Sequence, residues 1–218
     1  MEGPERGPSP LPSGFGLAHT VGRSGSHNRE QGALRDLSTA TMTRVALMAA
    51  VTAVAAQITI PLPFSPVPFT MQVLAVLLSG MLLGARNGAL SQLVYVLVGA
   101  AGAPVFAGFS GGLGVIFGPT GGYLLSYPLA AALAGLAAGA VARASRRRAL
   151  LAGFLWGCAG LAAIYAAGAA WLAAVAGLPP LAALAQGVLP FVPLDLVKTG
   201  LAAAVATAAA PVIAPSRA

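Results

Sequence analysis

Between positions 45 and 142 a single residue, Arg86, carries a charge, and the next charges after Arg148 are Asp195 and Lys198. A chain that withholds charge over such lengths cannot give a soluble domain its solvated surface. Its 8% of charged residues compares with about 25% in a soluble globular domain. The sequence is that of an integral membrane protein. Its net charge of +7 has to be read by position. The arginines lie in a polar tail and between apolar segments, which is the pattern of membrane topology and not of nucleic-acid binding.

Residues 1–38 are rich in Pro, Gly, Ser and charge and have no periodic apolar positions. Such a composition cannot offset its ordering entropy, so a disordered tail is expected, followed by one membrane domain over 39–218. Met42 heads a plausible shorter chain. Six apolar segments follow, at about 41–60, 69–83, 89–101, 123–142, 150–176 and 194–210. They predict an all-α protein of six transmembrane helices, the second and third shorter than the ~20 residues of a standard crossing. The stretch PLPFSPVPFT at 61–70 carries four prolines and cannot form a regular helix. Residues 102–122 hold eight glycines in 21 positions, which marks a shaped, uncharged loop because Gly permits positive φ and close backbone approach. That loop lacks the Gly-Lys-Ser/Thr of a phosphate loop, and Val197 stands where the glycine before Lys198-Thr199 would be needed, so no ATP binding by this chain is expected. His19 and His27 both fall in the tail, and Cys158 is the lone cysteine. The membrane part therefore offers no histidine for a metal site, and no metal or cofactor is expected.

With the N-terminus inside, the arginines at 35, 44, 86, 143, 146, 147, 148 and 217 all fall on the cytoplasmic side, as does the C-terminus. The Gly/Pro-rich connections at 61–70, 102–122 and 177–193 then fall outside, and none contains a charge. This asymmetry follows the positive-inside rule.

Asp195, the only acidic residue after position 36, and Lys198, the only lysine, enter at the outer end of the sixth helix. Three residues apart, they share one helix face. Pro193 suits the first helical turn, and Asp195 lies near the positive end of the helix dipole. One reading is a local ion pair with Lys198 snorkelling to the surface. Against it stands a cost of roughly 2.5–3.5 kcal/mol for each charge in a bilayer, and a cation near the N-terminal end of a helix gains nothing from the dipole. The stronger reading is a ligand pocket beneath the outer loops, with Lys198 ~7.5 Å along the axis from Pro193.

The stretches IPLPFSPVPFTMQ (60–72), YVLVGAAGAPVFAGFSGG (95–112), GPTGGY (118–123) and PFVPLDLVK (190–198) resemble the BioY proteins, the biotin-specific substrate-binding (S) components of energy-coupling factor (ECF) transporters. The likeness extends over about residues 42–210. It implies a multi-pass protein of the cytoplasmic membrane that binds and takes up biotin from a pocket near the outer face, gated by the first outer loop. It places the family's essential Asp and Lys on Asp195 and Lys198. Working partners would be a transmembrane coupling subunit and two ATPases, the first contacted through a small-residue motif among Ala46, Ala49, Ala50 and Ala53. Biotin offers ureido N–H donors to Asp195, and its ureido oxygen or tail carboxylate is an acceptor for Lys198. Thr70 and Gln72 flank the first outer loop and are further ligand candidates, Gln72 otherwise capping the second helix or bonding across helices. Tyr95 either stacks on the ligand or sits in the aromatic belt. Phe106 with Gly111 and Gly112 forms the ring pocket or an ordinary loop, and Tyr123 is read as an interface anchor.

Three other readings compete. A stand-alone secondary transporter of another small vitamin or organic acid, with Asp195 carrying a proton, would be expected in many such folds to show inverted repeats, and none is evident. An intramembrane enzyme would need an acid–base pair or an activated nucleophile. In a purely structural subunit Asp195 and Lys198 would only pair with each other. Orientation is testable directly. With Cys158 replaced, cysteines at Ser65, Ser110 and Pro179 are expected to label from outside, and cysteines beside Arg86 and Arg146 only from the cytoplasm; inverted labelling at any two would overturn the topology.

Overall fold

A computed structural model describes residues 38–213 together with Gly3. The tail expected at 1–38 and Arg217 lie otherwise outside the described residues. Helix α1 (Thr39–Gln57) is followed by strands β1 (Thr59–Leu62) and β2 (Ser65–Thr70), then by α2 (Gln72–Ala100). A 3₁₀ turn at Ala107–Phe109 and the short α3 (Leu113–Ile116) lead to α4 (Gly121–Gly135) and α5 (Ala138–Arg143). The long α6 (Arg146–Ala176), α7 (Pro180–Gly187) and α8 (Val192–Ile213) complete the described chain. Among the described residues five stretches are long and apolar enough to cross a bilayer: 39–57, 72–100, 121–143, 146–176 and 192–211.

The stretch over 72–100 is not one rod. Gly84 sits at φ 80°, ψ 170°, a conformation that ends a helix and that glycine adopts without a Cβ clash. Beyond it the chain folds back. The Gln72 Nε2 amide donates to the Tyr95 hydroxyl at 2.6 Å, although 23 helical residues would span ~35 Å. Gln92 likewise reaches Ser79 at 3.1 Å. The arms 72–83 and 85–100 occupy the second and third apolar segments read from the sequence. Their backbones touch because a Cβ on Gly88 would lie 2.6 Å from the Gly80 Cα.

The same close approach recurs through the bundle. A Cβ on Gly157 of α6 would lie 2.6 Å from the Thr199 methyl of α8, and one on Gly160 would lie 2.7 Å from the Ala130 carbonyl of α4. In lipid there is no hydrophobic force between helices, so this tight small-residue packing and interhelical hydrogen bonds carry the association. The hydrogen bonds concentrate at one buried knot. Gln92 donates toward the hydroxyls of Thr52, Ser79 and Ser91, which ties α1 to both arms of α2. Large apolar side chains such as Leu47, Leu97, Leu155 and Val197 face outward, as a lipid-solvated surface requires.

The proline stretch, which was expected not to be helical, adds one small hairpin to an otherwise helical fold. Residues 59–70 form an antiparallel two-stranded hairpin that pairs Thr59 with Thr70 and Leu62 with Ser65, with an irregularity between Ile60 and Leu62. Proline cannot donate to a ladder, and a two-stranded ribbon has only edges, where that is tolerated. Val67 turns inward while Pro66 is exposed, and the Ser65 hydroxyl donates to the Gln186 carbonyl at 2.8 Å, which ties the hairpin to α7.

The reversal at Gly84 depends on Gly88, so Gly88→Leu is expected to force the arms apart and to lower the midpoint of thermal unfolding in detergent by several degrees. An unchanged midpoint would show that the arms do not pack as described.

Candidate functional site

The Pro190-Phe191 turn feeds α8, whose first turn contains Pro193 and Asp195, and the Asp195 N–H donates to the Phe191 carbonyl at 2.9 Å. Asp195 is 3% exposed and Lys198 5%. The lysine does not snorkel. Its Nζ donates to Asp195 Oδ1 at 2.7 Å and to the Thr70 carbonyl at 2.6 Å, and it lies 3.6 Å from the centre of the Phe69 ring. Three N–H directions thus meet three partners, two of them on β2. The other carboxylate oxygen, Oδ2, accepts from the Tyr165 hydroxyl of α6 at 2.8 Å. Desolvating two charges costs several kcal/mol per ion, and the pair is tolerable only because hydrogen bonds from neighbours complete it. Each Asp195 oxygen keeps a further acceptor direction.

The pair forms one wall of a cavity of about 240 Å³ at the end of the bundle where the hairpin, the Gly-rich connection and the Pro-rich connection gather. Of the residues singled out from the sequence, Thr70, Gln72, Phe106, Asp195 and Lys198 line it. Phe69, Ser110, Thr120, Tyr127 and Tyr165 also line it. Tyr123 is corrected, because it is a buried lining residue and not an interface anchor. Its hydroxyl donates to the Gly187 carbonyl at 2.8 Å.

Tyr95 neither lines the cavity nor sits at an exposed belt. It is buried behind the wall, edge-on to Phe106 with ring centres 5.6 Å apart. Its hydroxyl accepts from Gln72 and donates to the Val105 carbonyl at 3.1 Å. Gln72 in turn accepts from the Thr70 hydroxyl at 2.9 Å. The chain Thr70–Gln72–Tyr95–Val105 therefore fixes the end of β2 and the base of the Gly-rich loop to α2. Gly111 and Gly112 are not lining residues. A side chain on Gly111 would strike the Ala103 carbonyl, and Gly112 sits at φ 91°. They fold the loop so that Phe106 and Ser110 pair across it and face the cavity.

Three residues that matter here were not singled out from the sequence. Tyr165 lay inside a long apolar segment and gave no signal beyond being one of four tyrosines. Tyr127, with its ring stacked on Tyr95 at 6.4 Å, gave none either. Gln57 was legible as an isolated polar residue at the end of α1. It donates to the Phe106 carbonyl at 3.1 Å and accepts from the Phe109 N–H at 2.8 Å, where Phe109 is held at a positive φ of 57°.

On chemical grounds the cavity is an acceptor site with apolar and aromatic walls. It fits a largely apolar ligand that presents polar N–H groups to Asp195. Among the described residues no cluster of three His, Cys, Asp or Glu is present.

Comparison with known proteins gives consistent relatives. The sequence profile described as the BioY family matches residues 27–215. A probable biotin transporter BioY of Pyrococcus horikoshii is 44% identical over 162 residues, covering 74% of this chain and 91% of that protein. The biotin transporter BioY of Thermotoga maritima is 43% identical over 148 residues, covering 67% and 83%. Among solved structures, the S-component for biotin from an ECF-type ABC transporter superposes with a TM-score of 0.68 at 25% identity, covering 83% of this chain and 92% of that one.

Tyr165→Phe keeps the ring and removes the hydroxyl that satisfies Asp195 Oδ2. A buried charged acceptor left short of a donor costs about 1–3 kcal/mol, so the variant is expected to melt several degrees lower in detergent. A midpoint equal to that of the parent protein would show that this hydroxyl does not hold the carboxylate.

Proposed function

The chain belongs to the BioY family, and we propose that it binds biotin in the cavity around Asp195 as the substrate-binding component of an ECF-type transporter. In that role it is a transporter component and not an enzyme, in keeping with the relatives above. The observation that carries the site is the Asp195 carboxylate. It is buried, oriented by Lys198 and Tyr165, and still able to accept from the ureido N–H groups of the vitamin. Such charge-assisted bonds in a dry pocket are the strong kind. Val67, Phe106, Tyr127 and Ile164 supply apolar wall for the ring and the valeryl tail. Lys198 reaches a ligand acceptor, either the ureido oxygen or the tail carboxylate, only by giving up one of its three present partners. Two of those are on β2, so occupancy and the hairpin are linked through this side chain. Thr70, Gln72 and Phe106 take part as lining residues, whereas Tyr95, Gly111 and Gly112 act by holding the wall in place.

We read the two arms of α2 as separate crossings, which gives six in all in the cytoplasmic membrane, with both termini inside. Supporting this, residues 84 and 85 of the bend pack against Gly135 near the end of α4, which brings Arg86 toward the end that carries Arg143 and Arg146–Arg148. For the coupling subunit, Ala46 and Ala50 are exposed on α1 while Ala49 is buried and Ala53 half-buried. This favours the 46/50 register as the face left for a partner, with ATP hydrolysis supplied by two ATPase subunits.

The test separates ligand binding from a bare ion pair. If Asp195 and Lys198 only satisfied each other, removing both would leave biotin binding intact. A charge-assisted hydrogen bond is worth ~1.5–3 kcal/mol, roughly tenfold to more than a hundredfold in affinity. Asp195→Asn and Lys198→Ala are each expected to weaken biotin binding in detergent at least about tenfold. The double variant Asp195→Asn/Lys198→Gln is expected to stay weak, and near-native affinity in it would move the site elsewhere.

A further inference from the structure

At the opposite end of the bundle from the ligand cavity lies a second, smaller cavity of about 110 Å³. Ala206 and Ala210, which help to line it, are eleven and fifteen residues past Asp195 in α8, hence ~17–22 Å further along the helix axis. Its floor is Met81, Val141 and Ala206, all buried, and its rim is Leu82, Ala138, Ala142 and Ala210. Every lining residue is apolar and four are alanines, so the hollow exists because short side chains on α5 and α8 leave room beside the α2 bend. Its lining residue Ala142 is followed directly by Arg143, and the passage from α5 into α6 carries Arg143, Arg146, Arg147 and Arg148, all exposed. Among the described residues these four have no ion-pair partner. The chain has no acid between Asp36 and Asp195, and Asp195 is already paired with Lys198 at the far end. Helix α6 also begins at Arg146 with no side-chain cap, so the positive end of its dipole adds to the same field.

We propose that this groove and arginine cluster form a binding site for one anionic phospholipid. One acyl chain lies in the groove between α2, α5 and α8, and the headgroup phosphate is held by Arg143 and Arg146. Two features argue for this occupant. A groove on the flank of bilayer-spanning helices is filled from a solvent of acyl chains. The four exposed arginines of the adjoining α5–α6 passage complement an anionic headgroup, and basic pockets between transmembrane helices bind such headgroups. The proposal does not depend on the identity of the vitamin, because the two cavities share no lining residue.

The experiment uses the full-length protein in neutral detergent, titrated with dioleoylphosphatidylglycerol or dioleoylphosphatidylcholine and read by native mass spectrometry. One phosphatidylglycerol is expected to bind at least roughly tenfold more tightly than phosphatidylcholine, in line with about 1 kcal/mol per cation near an anionic headgroup. Arg143→Gln/Arg146→Gln is expected to erase that preference. Ala210→Phe, which fills the groove and leaves every arginine in place, is expected to weaken phosphatidylglycerol binding to a similar extent. Biotin binding, measured in parallel, is expected to survive in both variants and reports that they are folded. Three results would overturn the site: equal affinity for the two lipids in the parent protein, undiminished phosphatidylglycerol binding in Ala210→Phe, or displacement of the lipid by millimolar sn-glycerol 3-phosphate. The second would reduce the arginines to a diffuse surface field, and the third would replace a lipid site with a soluble-phosphate site.

Discussion

A single buried ammonium group joins the parts of this molecule that surround its cavity. Lys198 on α8 donates to Asp195 on its own helix and to the Thr70 carbonyl at the end of β2, and it lies under the Phe69 ring. Asp195 in turn holds Tyr165 on α6. Two helices and the proline hairpin thus share one charge pair. Such a pair has a desolvation cost that its Coulomb attraction alone does not reliably offset. What makes it tolerable is that each polar group has a partner at hydrogen-bond distance, so removing any member leaves a charge stranded in low dielectric. The atoms that hold this end of the bundle together are therefore also part of the cavity wall.

Around that pair the architecture divides its labour. The membrane-spanning helices associate through glycine and alanine faces, where backbone approaches backbone, as at Gly80 and Gly88 or Gly160 and Ala130. The cavity wall, by contrast, is made by irregular segments that polar side chains pin down. Gln57 clamps Phe109 and the Phe106 carbonyl, and the Thr70–Gln72–Tyr95–Val105 chain fixes the loop from the other side. Rigid helices position, and pinned loops enclose. A membrane protein can use irregular backbone in this way where it lines a cavity and its polar groups find partners.

The two ends of the bundle differ in charge as much as in shape. One end concentrates exposed arginines near a small apolar hollow, and the other holds a closed ion pair beneath uncharged loops. This polarity separates whatever occupies the arginine end from whatever occupies the cavity around Asp195.

Much of this was legible in the residues. The scarcity of charge required a membrane protein, the isolation of Asp195 and Lys198 drew attention to what is now a cavity wall, and the glycines and prolines located the irregular segments, because each of these depends on composition or local backbone limits. Thr70, Gln72 and Phe106 were reachable from the motifs that flank the loops. The sequence could not give the partners of those residues. That Tyr165 completes Asp195, that Tyr95 stands behind the wall, that Tyr123 lines the cavity, and that four prolines make a hairpin are decided by contacts between positions far apart in the chain. In a lipid-solvated bundle nearly every residue is apolar and the helical hydrophobic pattern that would mark an inward face is weak. Which tyrosine points inward is settled only when small residues on neighbouring helices bring their backbones together.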